Sequence, residues 1–262
     1  MRSSASRPVI ITGLLLAVAL IALPHSQSVF HALFPALERP VYRRVSFLQL
    51  SASHAALVLV ATALAAIMGI ALAILVTRPI GKRAKPLALA VAGVGQTVPP
   101  VAVLAVAIPL LGYGGAPTVV ALFAYALLPI LLNAVAGLEG IDPSIAEAAD
   151  GMGLSPLQRL WKVDLPLAAP IMLAGIRTAA IINVGTATVG STVGASTLGS
   201  PIIEGLAAYN TAYVIQGAIL VGLFAVLIDK AFDLLAARLT LARDGAPSPG
   251  AVQNEEGGSV TA

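Results

Sequence analysis

The chain has 262 residues, 58% of them hydrophobic and only 10% charged, with a mean hydropathy of +0.94. Soluble domains carry about 25% charged residues, so this composition excludes an ordinary globular enzyme and points to an integral membrane protein. The net charge is +3 with no basic run interleaved with stacking aromatics, which argues against a nucleic-acid partner, and the absence of cysteine excludes disulfides and thiolate metal sites.

A membrane span needs about 20 apolar residues. The first candidate, residues 9–23, is short, with Arg2 and Arg7 before it and Pro24 after. A cleaved signal peptide is the competing reading. Ala17-Val18-Ala19 lies inside the apolar run and not behind it, which favours a retained helix. Residues 25–47 read as an external, partly helical elbow, so residues 1–50 form an N-terminal helix and elbow. Further spans are expected over 51–76, 87–111, 117–138, 167–189 and 211–228. The fold class is therefore all-α and polytopic, with six transmembrane helices, or five without the first.

Arg78, Lys82, Arg83 and Lys85 crowd the loop after the second span, and Arg159 and Lys162 the loop after the fourth. Arg2 and Arg7 precede the first span; Lys230, Arg238 and Arg243 follow the last. With six spans these segments share one side, which places both termini in the cytoplasm. Arg39, Arg43 and Arg44 in the elbow are the exception. Residues 236–262 read as a cytoplasmic tail, disordered where Gly, Pro, Ser and Glu accumulate.

The middle spans are rich in residues that bend helices. The third holds Gly93, Gly95, Pro99, Pro100 and Pro109, the fourth Pro129, and the fifth Gly175, Gly185 and Gly190. Polar groups at depth include Asn133 and Thr178, and also Gln96, Thr97, Asn183, Thr186 and Thr188. Two readings stay open for them: interhelical hydrogen bonding in a close-packed bundle, or the lining of a path in which freed backbone groups are satisfied. On the second reading the candidate translocation residues are Gln96, Thr97, Pro99, Pro100, Asn183, Thr186 and Thr188. Arg177 is the one full charge well inside a span and must either snorkel or pair across helices.

Between the fourth and fifth spans the polar sequence is highly structured. Asp142-Pro143 is an N-cap with proline in the first helical position, and Gly151 and Gly153 supply a stop. Ser155-Pro156-Leu157-Gln158 restarts a helix with a capping box. The expected result is a bent pair of short helices, with Leu165-Pro166 opening the next span. Elsewhere, Gly81-Lys82 has Val76 where a P-loop needs glycine, and His25, His31 and His54 lack metal-ligand spacing. No catalytic residue, cofactor or metal is expected on this chain.

Glu147, Ala148, Ala149, Gly153, Val163, Leu165 and Pro166 spell E-A-A-x3-G-x9-[I/V]-x-L-P. This resembles the cytoplasmic loop by which membrane subunits of ABC importers grip their ATPase subunits. Gln96-Thr97-Val98-Pro99-Pro100, Tyr125-Ala126-Leu127-Leu128-Pro129-Ile130, Ala174-Gly175-Ile176-Arg177-Thr178-Ala179 and Gly185-Thr186-Ala187-Thr188 are similar to the glycine betaine/carnitine/choline branch of the MetI-like type I permeases.

The resemblance implies a permease domain over 51–235 with a coupling loop at 139–164. It further implies ATP and Mg on a separate ATPase subunit, an extracytoplasmic solute-binding protein, a second permease subunit (identical or paralogous), and a bacterial cytoplasmic (inner) membrane location. Residues 191–210 would form an external or re-entrant segment near an outer gate, or a plain connector. There Gly194-Ala195-Ser196-Thr197-Leu198-Gly199 departs from the more glycine-rich pattern of relatives. A secondary transporter is disfavoured, because Glu139, Asp142, Glu147, Asp150 and Asp164 sit in the loop, while Asp229 and Asp233 sit at a span end. An amino acid or a sulfonate remains an alternative cargo.

Overall fold

The computed structural model describes residues 2–244. Helix α1 (Arg2–Ala22) leads through a short helix α2 (Gln27–Leu33) and an extended elbow into α3 (Phe47–Thr77). Ser46 caps α3 by accepting the Gln49 N–H at 3.2 Å. Then follow α4 (Lys85–Thr97), α5 (Pro100–Leu111), α6 (Gly115–Glu139), α7 (Pro143–Gly151), α8 (Pro156–Arg159), α9 (Leu165–Ala187), α10 (Ser200–Ala207) and α11 (Thr211–Asp244).

Among the described residues, five helical stretches are long and apolar enough to cross a membrane, and α4 with α5 adds a sixth that is bent by 96°. The third span, expected to run unbroken over 87–111, is thus a broken one. Pro99 and Pro100 carry no N–H, so the carbonyls of Gly95 and Gln96 lose their helical donors, and Val98 ahead of them turns extended at ψ 123°.

The broken pair still crosses. At its start, Lys85 Nζ meets the Glu139 carboxylate at 2.6 and 2.8 Å, at the end of α6. Beyond its end, the Gly114 N–H donates to the Val193 carbonyl at 2.7 Å, beside the start of α6. Since α6 has 25 residues and spans about 37 Å, the pair joins opposite ends of the bundle.

Two further boundaries differ from expectation. The fifth span does not begin at Leu165-Pro166: the helix starts at Pro156 and continues to Val193 as one 38-residue rod. A π-turn over Leu160–Asp164 shifts the hydrogen-bond register just ahead of Pro166, where an ordinary α-turn would meet the proline ring. The bent pair of loop helices is therefore α7 and the root of this rod. The last helix also continues beyond residue 228 to Asp244, so residues 236–244 are helical; the rest of the expected tail lies outside the described residues.

The core is built on α6, which lies between α3 and α9. A Cβ added at Gly69 of α3 would sit 2.9 Å from Ile130 Cγ2, and one at Gly175 of α9 would sit 2.6 Å from Asn133 Cβ. Close approach is the main source of helix–helix attraction where lipid is as apolar as leucine. Large side chains such as Leu59, Ile67, Val106 and Leu110 point outward, as a lipid-facing surface requires. Helix α1 packs on α11, with Leu16, Leu23, Leu220 and Phe224 in one cluster.

The elbow is fixed by polar contacts. Gln216 accepts the Tyr42 N–H at 3.0 Å and donates to the Pro40 carbonyl at 2.6 Å, and Asn210 donates to the Arg39 carbonyl at 3.0 Å. Buried His54 of α3 accepts the Leu198 N–H at 3.3 Å, a structural role. The departure at 194–199 is accommodated: Ser196 is exposed, while buried Thr197 pairs with Ser191 at 2.7 Å and accepts the Gly199 N–H at 3.0 Å.

The alternation of crossings gives a direct test. Topology reporters fused after residues 45, 114 and 200 should all report one side, and those after 84 and 152 the other. Residues 84 and 114 reading the same side would make the bent pair a re-entrant loop.

Candidate coupling loop and translocation path

The loop between α6 and the α9 rod is assembled from local signals. Asp142 Oδ1 accepts the Ser144 N–H at 2.8 Å, and hydrogen bonding from Ser144 holds its carboxyl below the usual carboxylate range. The cap therefore stays ionised at the N-terminus of α7, where the helix dipole favours negative charge.

At the other end Gly153 adopts φ +75°. Its N–H reaches the Asp150 carbonyl at 2.9 Å, and the Leu154 N–H reaches the Ala149 carbonyl at 3.2 Å. That is the Schellman arrangement, which needs a left-handed residue at this place. Ser155 and Gln158 then form both bonds of the capping box, at 3.3 and 2.9 Å.

The motif residues divide by exposure. Glu147, Ala148, Gly153 and Pro166 are exposed, Val163 and Leu165 half-buried, and Ala149 buried. Around them Met152, Leu157 and Trp161 are each at least 65% exposed. Large apolar side chains this exposed on a polar loop make it a candidate contact surface for another protein.

A line of charges runs beneath this surface. Arg78, just past α3, donates to Asp164 Oδ2 at 2.6 Å, while Arg159 Nε lies 3.4 Å from Asp164 Oδ1 and its Nη1 3.2 Å from Asp150 Oδ2. Asp164 is only 3% exposed, so its charge depends on these two guanidiniums. Sequence reading used Arg78 only as a topology marker and left Asp164 unassigned. The available signal was a lone carboxylate directly before an apolar span.

The candidate path residues fall into two groups. Gln96, Thr97, Pro99 and Pro100 surround the α4–α5 break. There Gln96 Nε2 donates to the Tyr125 carbonyl at 2.9 Å, and the Tyr125 hydroxyl donates to the Val98 carbonyl at 2.6 Å. This second bond satisfies the carbonyl of Val98, which the extended turn at the break takes out of the helical ladder, and sequence reading did not assign it. Thr97 and Pro99 are exposed.

On α9 and its continuation, the Thr186 and Thr188 hydroxyls fold back onto the Ile182 and Gly185 carbonyls at 3.0 and 2.7 Å. Asn183 is fully buried against α3, donating to Thr62 at 2.9 Å. The structure thus does not bring Asn183 to the same surface as Thr97 and Pro99.

Arg177 does pair across helices. It donates to Asp229 at 2.8 Å through Nε and to Asp233 at 2.5 Å, and Lys230 contacts both carboxylates at 3.1 and 2.9 Å. Two cations and two anions cancel, which makes the cluster tolerable near lipid. No cluster of His, Asp or Glu with metal-binding geometry occurs among the described residues.

Residues 65–241 match the family described as binding-protein-dependent transport system inner membrane component. The osmoprotectant import permease protein OsmY of Salmonella typhimurium is 41% identical over 204 residues, covering 78% of this chain and 86% of the relative. The choline transport system permease protein OpuBB of Bacillus subtilis is 38% identical over 187 residues, covering 71% and 85%. A chain of the MetNI methionine ABC transporter in an inward-facing conformation superposes with a TM-score of 0.64 at 25% identity, over 73% of this chain and 95% of that one.

Two substitutions separate backbone from side-chain effects. Gly153→Val forces a β-branched residue into left-handed geometry at about 1–2 kcal/mol. Gly153→Asn should cost much less, because a Cβ there meets nothing within 4 Å and asparagine tolerates this conformation. In membranes carrying the complete transporter, the valine variant should lose most ATPase retention and the asparagine variant little. Equal retention by the two would remove the bend from the argument. Tyr125→Phe leaves the Val98 carbonyl unpaired at ~1–3 kcal/mol, which should lower the thermal midpoint in detergent; an unchanged midpoint would show that water replaces the hydroxyl.

Proposed function

Since this chain belongs to the family of binding-protein-dependent transport system inner membrane components, and is a membrane permease subunit of an ABC importer, we propose that it carries quaternary ammonium osmoprotectants such as glycine betaine, choline or carnitine into the cell. The observation that supports this cargo is the extent of the likeness. Relatives named for osmoprotectant, choline and glycine betaine/carnitine/choline transport match 71–78% of the chain at 37–41% identity.

In this reading a separate ATPase subunit binds ATP and Mg and grips the exposed loop through Glu147, Ala148, Met152 and Trp161. Two permease subunits, identical or paralogous, enclose the path, and a solute-binding protein delivers cargo from outside. The loop and the termini face the cytoplasm, because the 78–85 loop, which carries four cations, lies at the same end as the coupling loop. The path runs past the exposed break at Thr97 and Pro99 and past Thr186 and Thr188, while Asn183 stabilises the contact of α9 with α3.

Coupling proceeds through the continuous rod. ATP-driven approach of the ATPases displaces α7 and the α8 root, and the helix continues from that root into the membrane-embedded part of α9. Glu147→Ala removes an exposed charge from the gripping face, so it should leave membrane insertion intact and weaken ATPase docking.

The cargo test is uptake of labelled glycine betaine, choline and carnitine by cells that carry the complete system, with and without the binding protein. ATP-dependent uptake of one or more, abolished without the binding protein, is the expected result. Uptake restricted to amino acids or sulfonates would overturn the cargo assignment and leave the importer intact.

A further inference from the structure

The loop touches a third membrane helix besides the two, α6 and α9, that it joins. Arg78 immediately follows α3, and its guanidinium sits 2.6 Å from Asp164 at the root of the α9 rod. Asp164 in turn meets Arg159, which meets Asp150 at the end of α7. The charges alternate along this line, and burial rises to its middle: Asp150 has 60% of its side chain exposed, Arg159 25% and Asp164 4%.

We infer that Arg78, Asp164 and Arg159 form a strut that carries movement of the coupling helix into α3 as well as α9, an assignment that rests on the coupling-loop reading above. Arg78 and Asp164 are positioning residues in this account, and neither touches solute or nucleotide. The physical reason is the environment of Asp164. A buried carboxylate that shares two cations loses much of its compensation if Arg78 withdraws, which ties the end of α3 to the rod, while the more exposed Arg159–Asp150 pair links α7 to the same rod.

What α3 receives it passes inward, since at Gly69 it packs closely against Ile130 of α6. The strut therefore drives α3, α6 and α9 as one body. Without it the loop would pull directly only on α6 and α9, the helices it joins, and α3 would follow only through side-chain contacts. A contiguous chain of packed and paired groups is the kind of route by which coupling energy travels.

The experiment uses the full transporter in proteoliposomes: this chain, its ATPase and its binding protein, with labelled glycine betaine, choline or carnitine, whichever the cells take up. The readout is solute moved per ATP hydrolysed, alongside the amount of ATPase retained on purification. Asp164→Asn and Arg78→Gln should keep the ATPase bound while the ratio falls about five- to tenfold, within the range typical of coupling between sites. Arg78→Lys, which restores the charge, should recover most of it.

Should Asp164→Asn insert poorly, Arg78→Gln still tests the strut, because that side chain is one-third exposed. An unchanged ratio in Arg78→Gln overturns the strut. So does a parallel loss of ATPase retention and transport, which would make the pair a docking element only. The unaltered complex is the reference: failure of binding-protein-dependent uptake there overturns the proposed function, and the strut with it.

Discussion

The close approach of α6 to α3 and α9 is the constraint on which the rest of this protein depends. In lipid, helices gain nothing from burying leucine against leucine, so their association must come from contact at short range and from hydrogen bonds. Gly69, Gly137 and Gly175 supply the short range, each leaving a gap that the facing helix fills within about the reach of a Cβ. Asn183 with Thr62 adds a buried hydrogen bond between α9 and α3. The three helices then form a frame on which less regular segments can be hung.

Those irregular segments are tolerated because the frame satisfies them. The 96° break between α4 and α5 exposes backbone carbonyls at membrane depth, which would be costly against lipid. The Tyr125 hydroxyl pairs the Val98 carbonyl at the break, and Gln96 in return pairs the Tyr125 carbonyl, which Pro129 leaves without a helical donor. The elbow shows the same logic at the other surface, where Gln216 and Asn210 hold an extended segment that has no partner strand. The ionic cluster of Arg177, Asp229, Lys230 and Asp233 is neutral as a whole, which lets it join α9 to α11 between two spans.

In the proposed function, movement enters at the loop and must reach this frame without dissipating. The π-turn at Leu160–Asp164 keeps the helix continuous through Pro166, so the loop root and the membrane part of α9 belong to one helical segment. The freedom that remains lies at Gly153, between α7 and that segment, where the chain turns through left-handed backbone. One bend and one continuous rod are sufficient to convert approach of a partner below into tilt of a helix above.

Much of this was legible in the sequence, for reasons that are local. Hydropathy marked the membrane character and all the spans; Asp142-Pro143, Gly153 and the Ser155–Gln158 box fixed the loop helices because caps depend only on residues a few positions apart. The motif through Pro166 singled out this loop as the candidate for coupling for the same reason. Other features needed the third dimension. Pro99-Pro100 announced a disturbance, but only packing against Tyr125 decided that it was a sharp break that still crosses. Pro166 suggested a helix start, and the π-turn that carries the helix through it depends on the surrounding fold. Asn183 and Thr186 looked equivalent in sequence, yet α9 buries one and not the other. Asp164 and Arg78 are 86 residues apart, and Arg177 is 52 from Asp229. A charge pair of that separation leaves no periodic trace, because it is set by where two helix ends meet and not by anything either segment encodes alone.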